Sequence, residues 1–274
     1  MSSRASRASC AACNFDGLLV LGADVPAAVE HAARCAVWRL GREVQLDVRS
    51  MERGRARFDV VGPGFAVRDV RLAVPGRFNA GNAALAAALA LGVVPFHRRA
   101  SAAQDVAHAL GEFRGVARRF ETWGTFGDVE LVHDYAHHPT ELAATFDAAR
   151  GAFEGRELCV LFQPHQHSRT SHFIGEFAKE LAKADRVVVT EVYGARAHID
   201  GEHFAGSEDL VRLVRALGVE AEFVPELGEA TRRFAEILPE RAAALVLGAG
   251  DVENVRDDLS GLLSVRTQAA SAAR

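Results

Sequence analysis

Residues 129–142 read Val-Glu-Leu-Val-His-Asp-Tyr-Ala-His-His-Pro-Thr-Glu-Leu. Val129, Leu131 and Val132 in the run 129–133 predict a buried strand. Pro139, Thr140 and Glu141 then predict a helix start, because proline is tolerated in the first turn and a carboxylate favours the positive end of the helix dipole. A strand running within a few residues into a helix is one half of a βαβ unit. The same reading recurs downstream, with strands expected at 158–162, 186–191, 222–224 and 244–247. Helices are expected between and after them, at 140–150, 170–183, 207–217, 229–238 and 252–263. This alternation defines an α/β fold class: a doubly wound, mostly parallel sheet (Rossmann-like), in which ligands bind at the carboxyl ends of the strands.

Upstream the rhythm differs. Leu18 to Leu21 reads as a short strand, and Asp24 with Pro26 opens a helical pattern ending near Leu40 and Gly41. Runs at 43–48, 57–61 and 66–74, with a turn at Gly62-Pro63-Gly64, predict antiparallel strands. Helices are expected at 79–91 and 101–113, the second with Ser101 as N-cap. The resulting partition is a disordered start at 1–13, one layer-forming unit at 14–113, a doubly wound domain at 114–265 and a disordered tail at 266–274.

A formal net charge of -4 with 25% charged and 49% hydrophobic residues fits a soluble globular protein and gives no basis for a nucleic-acid partner. The longest apolar stretch, 83–96, is mostly alanine and is interrupted by Gly92 and Pro95, so no membrane association is expected. Four cysteines, Cys10, Cys13, Cys35 and Cys159, are too scattered for a disulfide framework and fit a reducing, cytoplasmic location. Cys10 and Cys13 lack the second ligand pair that a zinc site requires.

Six of the eleven histidines fall between His133 and His172. Four of them lie in two strand-end segments, DYAHHPTE at 134–141 and FQPHQHSRT at 162–170, and His133 and His172 flank these. A strand end that meets a helix N-terminus presents free backbone N–H groups to anions. Pro139, Thr140 and Glu141 need only the helix start to explain them, whereas Tyr135, His137 and His138 do not follow from it. In the second segment Ser168 or Thr170 serves as a helix N-cap, and Arg169 offers the planar fork that suits a carboxylate. A histidine-bound metal would need ligands on one face; His137 and His138 are adjacent and point apart, so no metal site is assigned. Three further pieces, PGRFNAGN at 75–82, ARRFE at 117–121 and GAGD at 248–251, are individually unspecific: Asn79 suits a helix N-cap, and GAGD lacks the third glycine of a dinucleotide turn.

In this order the pieces resemble the Mur ligase family, and within it the UDP-N-acetylmuramate:L-alanine ligases. That pattern runs PGxHNxxNALAA, RRFE, DDYAHHPTE, FQPHRYSRT and GAGD. The resemblance implies ATP-dependent ligation of L-alanine to UDP-N-acetylmuramate through an acyl phosphate, in peptidoglycan synthesis, with ATP and Mg2+ as cofactors. It further implies that Asn79 contacts adenine, Arg119 the phosphate region and Asp134 the ribose, with Arg119 and His137 catalytic. Tyr135, His137 and Arg169 would form the L-alanine pocket.

Departures from the pattern are Phe78 for histidine, His133 for the first aspartate, and Gln166-His167 for Arg-Tyr. The dipeptide Gly-Lys occurs nowhere in the 274 residues, so the chain holds no glycine-rich phosphate loop of the Walker type. The resemblance puts that loop and the main magnesium ligands in an N-terminal part, so the segment 14–113 resembles the later part of a central ATP-binding domain. The isolated chain is expected to be inactive, either as a fragment or as one part of a split enzyme with a complementing N-terminal chain. A non-catalytic amino-acid or nucleotide-binding module is the reading from a different class.

Overall fold

The computed structural model describes residues 17–194 and 205–272. It divides into two compact units, residues 1–114 and 115–274. The expected disordered start at 1–13 lies outside the described residues.

The first unit opens with β1 (Leu18–Leu21), the short α1 (Ala27–His31) and β2 (Ala36–Arg39). β1 and β2 pair in parallel, Leu18 opposite Ala36. The helix expected from Asp24 to Gly41 is therefore corrected: it stops at His31. Val37 and Trp38 favour a strand, and Arg39 fixes the return by bonding the carbonyls of Gly22, Ala23 and Val25 and the carboxylate of Glu30. β3 (Gln45–Glu52), β4 (Arg55–Gly62) and β5 (Phe65–Pro75) form the expected antiparallel meander. α2 (Arg77–Gly92) follows at Gly76, whose φ of 101° only glycine adopts readily. The helix lays Ala80, Ala83, Ala84, Ala87, Ala88 and Leu91 into the core with Phe58, Val60 and Val67; small side chains let its backbone approach the strands. Asn79 is not its N-cap but lies in the first turn. In α3 (Arg99–Glu112) Ser101 is likewise internal, its hydroxyl donating to the Arg98 carbonyl.

The second unit is a six-stranded sheet. Its strands are β6 (Glu121–Phe126), β7 (Asp128–Asp134), β8 (Glu157–Phe162), β9 (Arg186–Val189), β10 (Glu220–Phe223) and β11 (Arg241–Leu247), in spatial order β10-β9-β8-β11-β7-β6. All neighbours are parallel except β6, an antiparallel edge strand that the sequence reading did not assign. The helices are α4 (Pro139–Ala152), α5 (His167–His172), α6 (Ile174–Leu181), α7 (Ser207–Ala216), α8 (Leu227–Ile237) and α9 (Arg256–Ala272). The single helix expected over 170–183 is broken at Phe173.

Side-chain alternation builds a core on each face. Val160 and Phe162 pack with Phe146, Phe177 and Leu181 on one side, while Cys159 and Leu161 pack with Phe234, Leu259 and Leu263 on the other. The tail expected to be disordered from 266 is helical through Ala272. Arg266 fastens it by donating to the carbonyls of Ala235, Leu238 and Pro239. β7 and β8 lead into α4 and α5 toward the first face, whereas β11 leads into α9 on the second. The carboxyl end of β11 is thus flanked by strands that exit the other way, which is the switch point where such sheets form a crevice.

Candidate functional site

At the end of β7, Asp134 is buried and both of its oxygens are engaged. Oδ1 accepts from the Ala136 N–H (2.8 Å) and Oδ2 from the Phe120 N–H (2.7 Å). Burial pushes its carboxyl above the usual value, and the two N–H donors work against that rise. The Tyr135 N–H donates in turn to the Arg118 carbonyl (2.8 Å), and the Arg118 N–H to Glu121 (2.8 Å). These bonds hold Arg118 and Phe120 at φ of 64° and 45°, a left-handed backbone that persists in non-glycine residues only where its surroundings over-determine it.

The guanidinium of Arg118 lies 4.3 Å from the Tyr135 ring centre and pairs with Glu253 at 2.8 Å. Arg119 stands 5.6 Å from the same ring, half exposed, with only a loose 3.7 Å pair to Glu141. His137 continues the loop. Its N–H donates to Glu141 (2.9 Å), and its Nδ1 lies 2.8 Å from the Tyr135 carbonyl and 3.3 Å from Glu141. His138 turns away, caps α4 by accepting from the Thr140 N–H, and packs on Phe173.

The loop after β8 is fixed by Gln163. Its N–H donates to Leu247, its Nε2 to Asp251 (2.7 Å), and its Oε1 accepts from the Val252 N–H (3.1 Å). One buried amide thereby ties β8 to the turn after β11. Gly248 is obligatory there: its φ is 150°, and a Cβ would sit 2.8 Å from the Gln163 carbonyl oxygen. His165 stacks on Tyr193 (5.7 Å) and meets His137 edge-on (5.8 Å), while His137 meets Tyr135 (5.2 Å). The chain's two tyrosines thus bracket its two site histidines. Burial, then the Arg169 charge, then His137 hold His165 below the ordinary imidazole range. One Arg169 nitrogen, Nη1, and the His165 Nδ1 are buried without a hydrogen-bond partner.

The β7 and β8 loops therefore meet through Tyr135, His137 and His165, with Arg169 electrostatically coupled to His165. Asn79 belongs to the first unit, where its amide donates to the Pro75 carbonyl (2.6 Å) and accepts from Asn82 (3.3 Å). His133 is not part of the ring chain: it is buried against Trp123 (4.7 Å). Sequence reasoning overlooked Gln163, Tyr193, Glu253 and the bridging place of Glu141. The scarcity of tyrosine and the polar Gln163 next to an apolar strand were the available signals. Among the described residues no three His, Cys, Asp or Glu side chains converge on a metal position.

A doubly wound domain with histidines, tyrosines and arginines gathered on the loops at the switch point is the class defined by this geometry, and residues 118–250 match the family profile of the Mur ligase glutamate ligase domain. The chain belongs to the Mur ligase family. It is 36% identical over 256 residues to a UDP-N-acetylmuramate--L-alanine ligase of Acidithiobacillus ferrooxidans, covering 88% of this chain and 52% of that protein. It is 41% identical over 199 residues to the enzyme of the same name from Salinibacter ruber, covering 72% and 40%. Among solved structures, the UDP-N-acetylmuramate-alanine ligase of Thermotoga maritima superposes with a TM-score of 0.69 at 29% identity, over 92% of this chain and 52% of that one. The chain spans about half the length of the curated relatives it matches.

Proposed function

We infer that the chain carries the amino-acid-binding part of an ATP-dependent ligase that joins L-alanine to UDP-N-acetylmuramate through an acyl phosphate in peptidoglycan synthesis, in the cytoplasm. The observation that carries this reading is the buried, unpartnered Nη1 of Arg169, whose charge acts on His165, itself left with an unpartnered Nδ1. A buried guanidinium nitrogen with an unused donor costs free energy until an acceptor meets it, and the carboxylate of a small amino acid is such an acceptor. Tyr135 and His137 close the adjoining wall of the pocket. In this reading Arg119, half exposed and loosely paired, serves the phosphate region and Asn79 the adenine. Asp134 retains acceptor capacity for a ribose hydroxyl and also pins the loop.

ATP supplies the activation of the carboxylate, and Mg2+ compensates phosphate charge. Residues 14–113 are proposed as the later part of the central ATP-binding domain. In this reading the phosphate loop and the main Mg2+ ligands belong to an N-terminal part of the enzyme, on the same or a complementing chain. His137 serves the amine side, where its ring can take a proton from the attacking nitrogen.

The test is phosphate release from ATP with UDP-N-acetylmuramate and L-alanine. The purified chain alone should show none. Mixed with the separately expressed N-terminal half of a relative, it should turn over only with all three substrates, and Arg169→Ala should weaken L-alanine use by about 1.5–3 kcal/mol for a lost charge-assisted pair. An unchanged alanine requirement in Arg169→Ala refutes the assignment. Turnover by the chain alone that vanishes in Arg119→Ala refutes the need for a complementing chain.

A further inference from the structure

Glu141 touches both residues to which the reading above gives chemistry. Its Oε2 accepts from the His137 backbone N–H (2.9 Å) and lies 3.3 Å from His137 Nδ1, and its Oε1 lies 3.7 Å from the Arg119 guanidinium. The Tyr135 carbonyl, 2.8 Å from the same Nδ1, can only accept. Two acceptors at Nδ1 place the proton there, so the neutral ring keeps its lone pair on Nε2. The bonds to His137 are short and local, spanning four residues of one helix start. The pair to Arg119 is longer, and both its partners are partly solvated, with side-chain exposures of 52% and 33%.

We propose that Glu141 is a positioning residue that fixes the His137 ring and tautomer and couples it to phosphate binding at Arg119. A phosphate dianion at Arg119 displaces the weaker pair and leaves the carboxylate on His137, whose Nε2 can then take a proton from the attacking amine while Glu141 faces the resulting imidazolium. The phosphate side and the amine side of the site would thus communicate through one carboxylate. The proposal rests on the ligase reading for its purpose, but not for its geometry.

Its test is imidazole 15N and 1H NMR on the intact, histidine-labelled chain, with the His137 signals identified by their loss in His137→Gln and folding checked by unchanged Trp123 fluorescence. At about pH 8, above the ordinary imidazole range, the wild type should show one Nδ1–H tautomer; Glu141→Ala, which loses both the second acceptor and the bond to the His137 N–H that holds the ring on the Tyr135 carbonyl, should show a mixture. Glu141→Gln, which keeps an oxygen for the His137 N–H, should restore the single tautomer. Its ring response to inorganic phosphate should nevertheless fall at least about threefold, because the charge that pairs with Arg119 is gone. An unchanged tautomer in Glu141→Ala overturns the positioning role, and an undiminished phosphate response in Glu141→Gln overturns the coupling. If the tautomer depends on Glu141 but neither phosphate, ADP nor L-alanine moves any histidine signal, the coupling and the ligase reading fall while the positioning role stands. If L-alanine and ADP perturb His137 equally in Glu141→Ala, the ligase reading stands and the proposal falls.

Discussion

The two parallel sheets of this chain meet the same physical requirement in different ways. In the second unit every interior strand is covered on both faces, by Phe146, Phe177 and Leu181 on one side and by Phe234, Leu259 and Leu263 on the other. In the first unit the parallel sheet has two strands of four residues each. Its neighbour α2 buries one apolar face and leaves Phe78 (44%) and Leu89 (50%) exposed, with Val93 (81%) open just past its end. Parallel strands are ordinarily buried on both sides, and a two-stranded pair is marginal alone. The difference separates a sheet covered on both faces from a two-stranded sheet beside a helix that leaves apolar side chains open.

The sharpest way to break that comparison is to remove core from the unit whose sheet is covered. Phe146 is fully buried in the first-face cluster, and Phe146→Ala should cost about 3–5 kcal/mol, the range for large aromatic deletions that leave a cavity. The chain's two tryptophans, Trp38 and Trp123, fall one in each unit. Single-tryptophan variants in urea therefore read the units separately. The loss should appear in the Trp123 transition and leave the Trp38 transition in place. Equal loss in both would show that the units unfold as one and dissolve the distinction.

A smaller effect separates the units by acid. His133 is buried beneath Trp123, its Nδ1 donating to the Val246 carbonyl (2.9 Å). Burial first, then the Arg118 charge, lower its proton affinity, and the Val246 carbonyl, Glu253 and Glu121 oppose that only in part. A lowered folded value means that the unfolded chain binds the proton more readily. The contribution of His133 is thus complete above the ordinary 6.5 and is lost as pH falls from there through the folded value. Asp134, raised above 3.8 by burial, has the opposite sign, being stabilising at low pH and losing that contribution as pH rises through its folded value. The His133 effect must therefore be read as a difference. Below pH 6.5 the Trp123 midpoint should decline more steeply in the wild type than in His133→Phe, while the Trp38 midpoint follows the same course in both. The histidines of the first unit, His31, His97 and His108, are exposed. An identical slope in His133→Phe would remove His133 as the cause.

What could be read from the sequence, and what could not, follows the same division. In the second unit 129–133 and 158–162 announced their strands because each is an apolar run ended by polar loop residues, and the ring-bearing loops were visible from their unusual composition. β6 escaped because Glu121-Thr122-Trp123-Gly124 alternates without a clear apolar face, as an edge strand can. In the first unit the segment after Asp24 read as helix because Ala27, Ala28, Ala32 and Ala33 are strong helix formers. Only the pairing of Ala36–Arg39 with β1, a tertiary contact, overrides that local preference. Within the proposed site Arg169 was singled out by its chemistry alone. Gln163 was not, since its role is to bond the turn after β11, and its sequence neighbours say nothing about the residues 88 and 89 positions away.

The smallest expected change in stability tests the exposed face itself. α2 is apolar nearly all round, a pattern that belongs to a helix covered on every side, yet Leu89 stands open on it and Val93 at its C-cap. Leu89→Lys with Val93→Lys replaces both near the helix C-terminus, where positive charge complements the dipole. The unfolding free energy read by Trp38 should therefore move by no more than about 0.5 kcal/mol, the usual range for surface substitutions. Association should respond instead. Sedimentation of the wild type should show concentration-dependent self-association, because an uncovered apolar face finds partners, and the double variant should sediment as a monomer. If the face belongs to a complementing chain, the same variant should also lose turnover in the mixed assay while its L-alanine binding stays intact, since Arg169 and His165 lie in the other unit. A destabilisation above about 1.5 kcal/mol would mean that these side chains are already packed, a cost that surface positions do not carry. Unchanged sedimentation together with full complementation would leave α2 as an exposed helix that needs no cover, and the contrast between the two units would then lie in their strands alone.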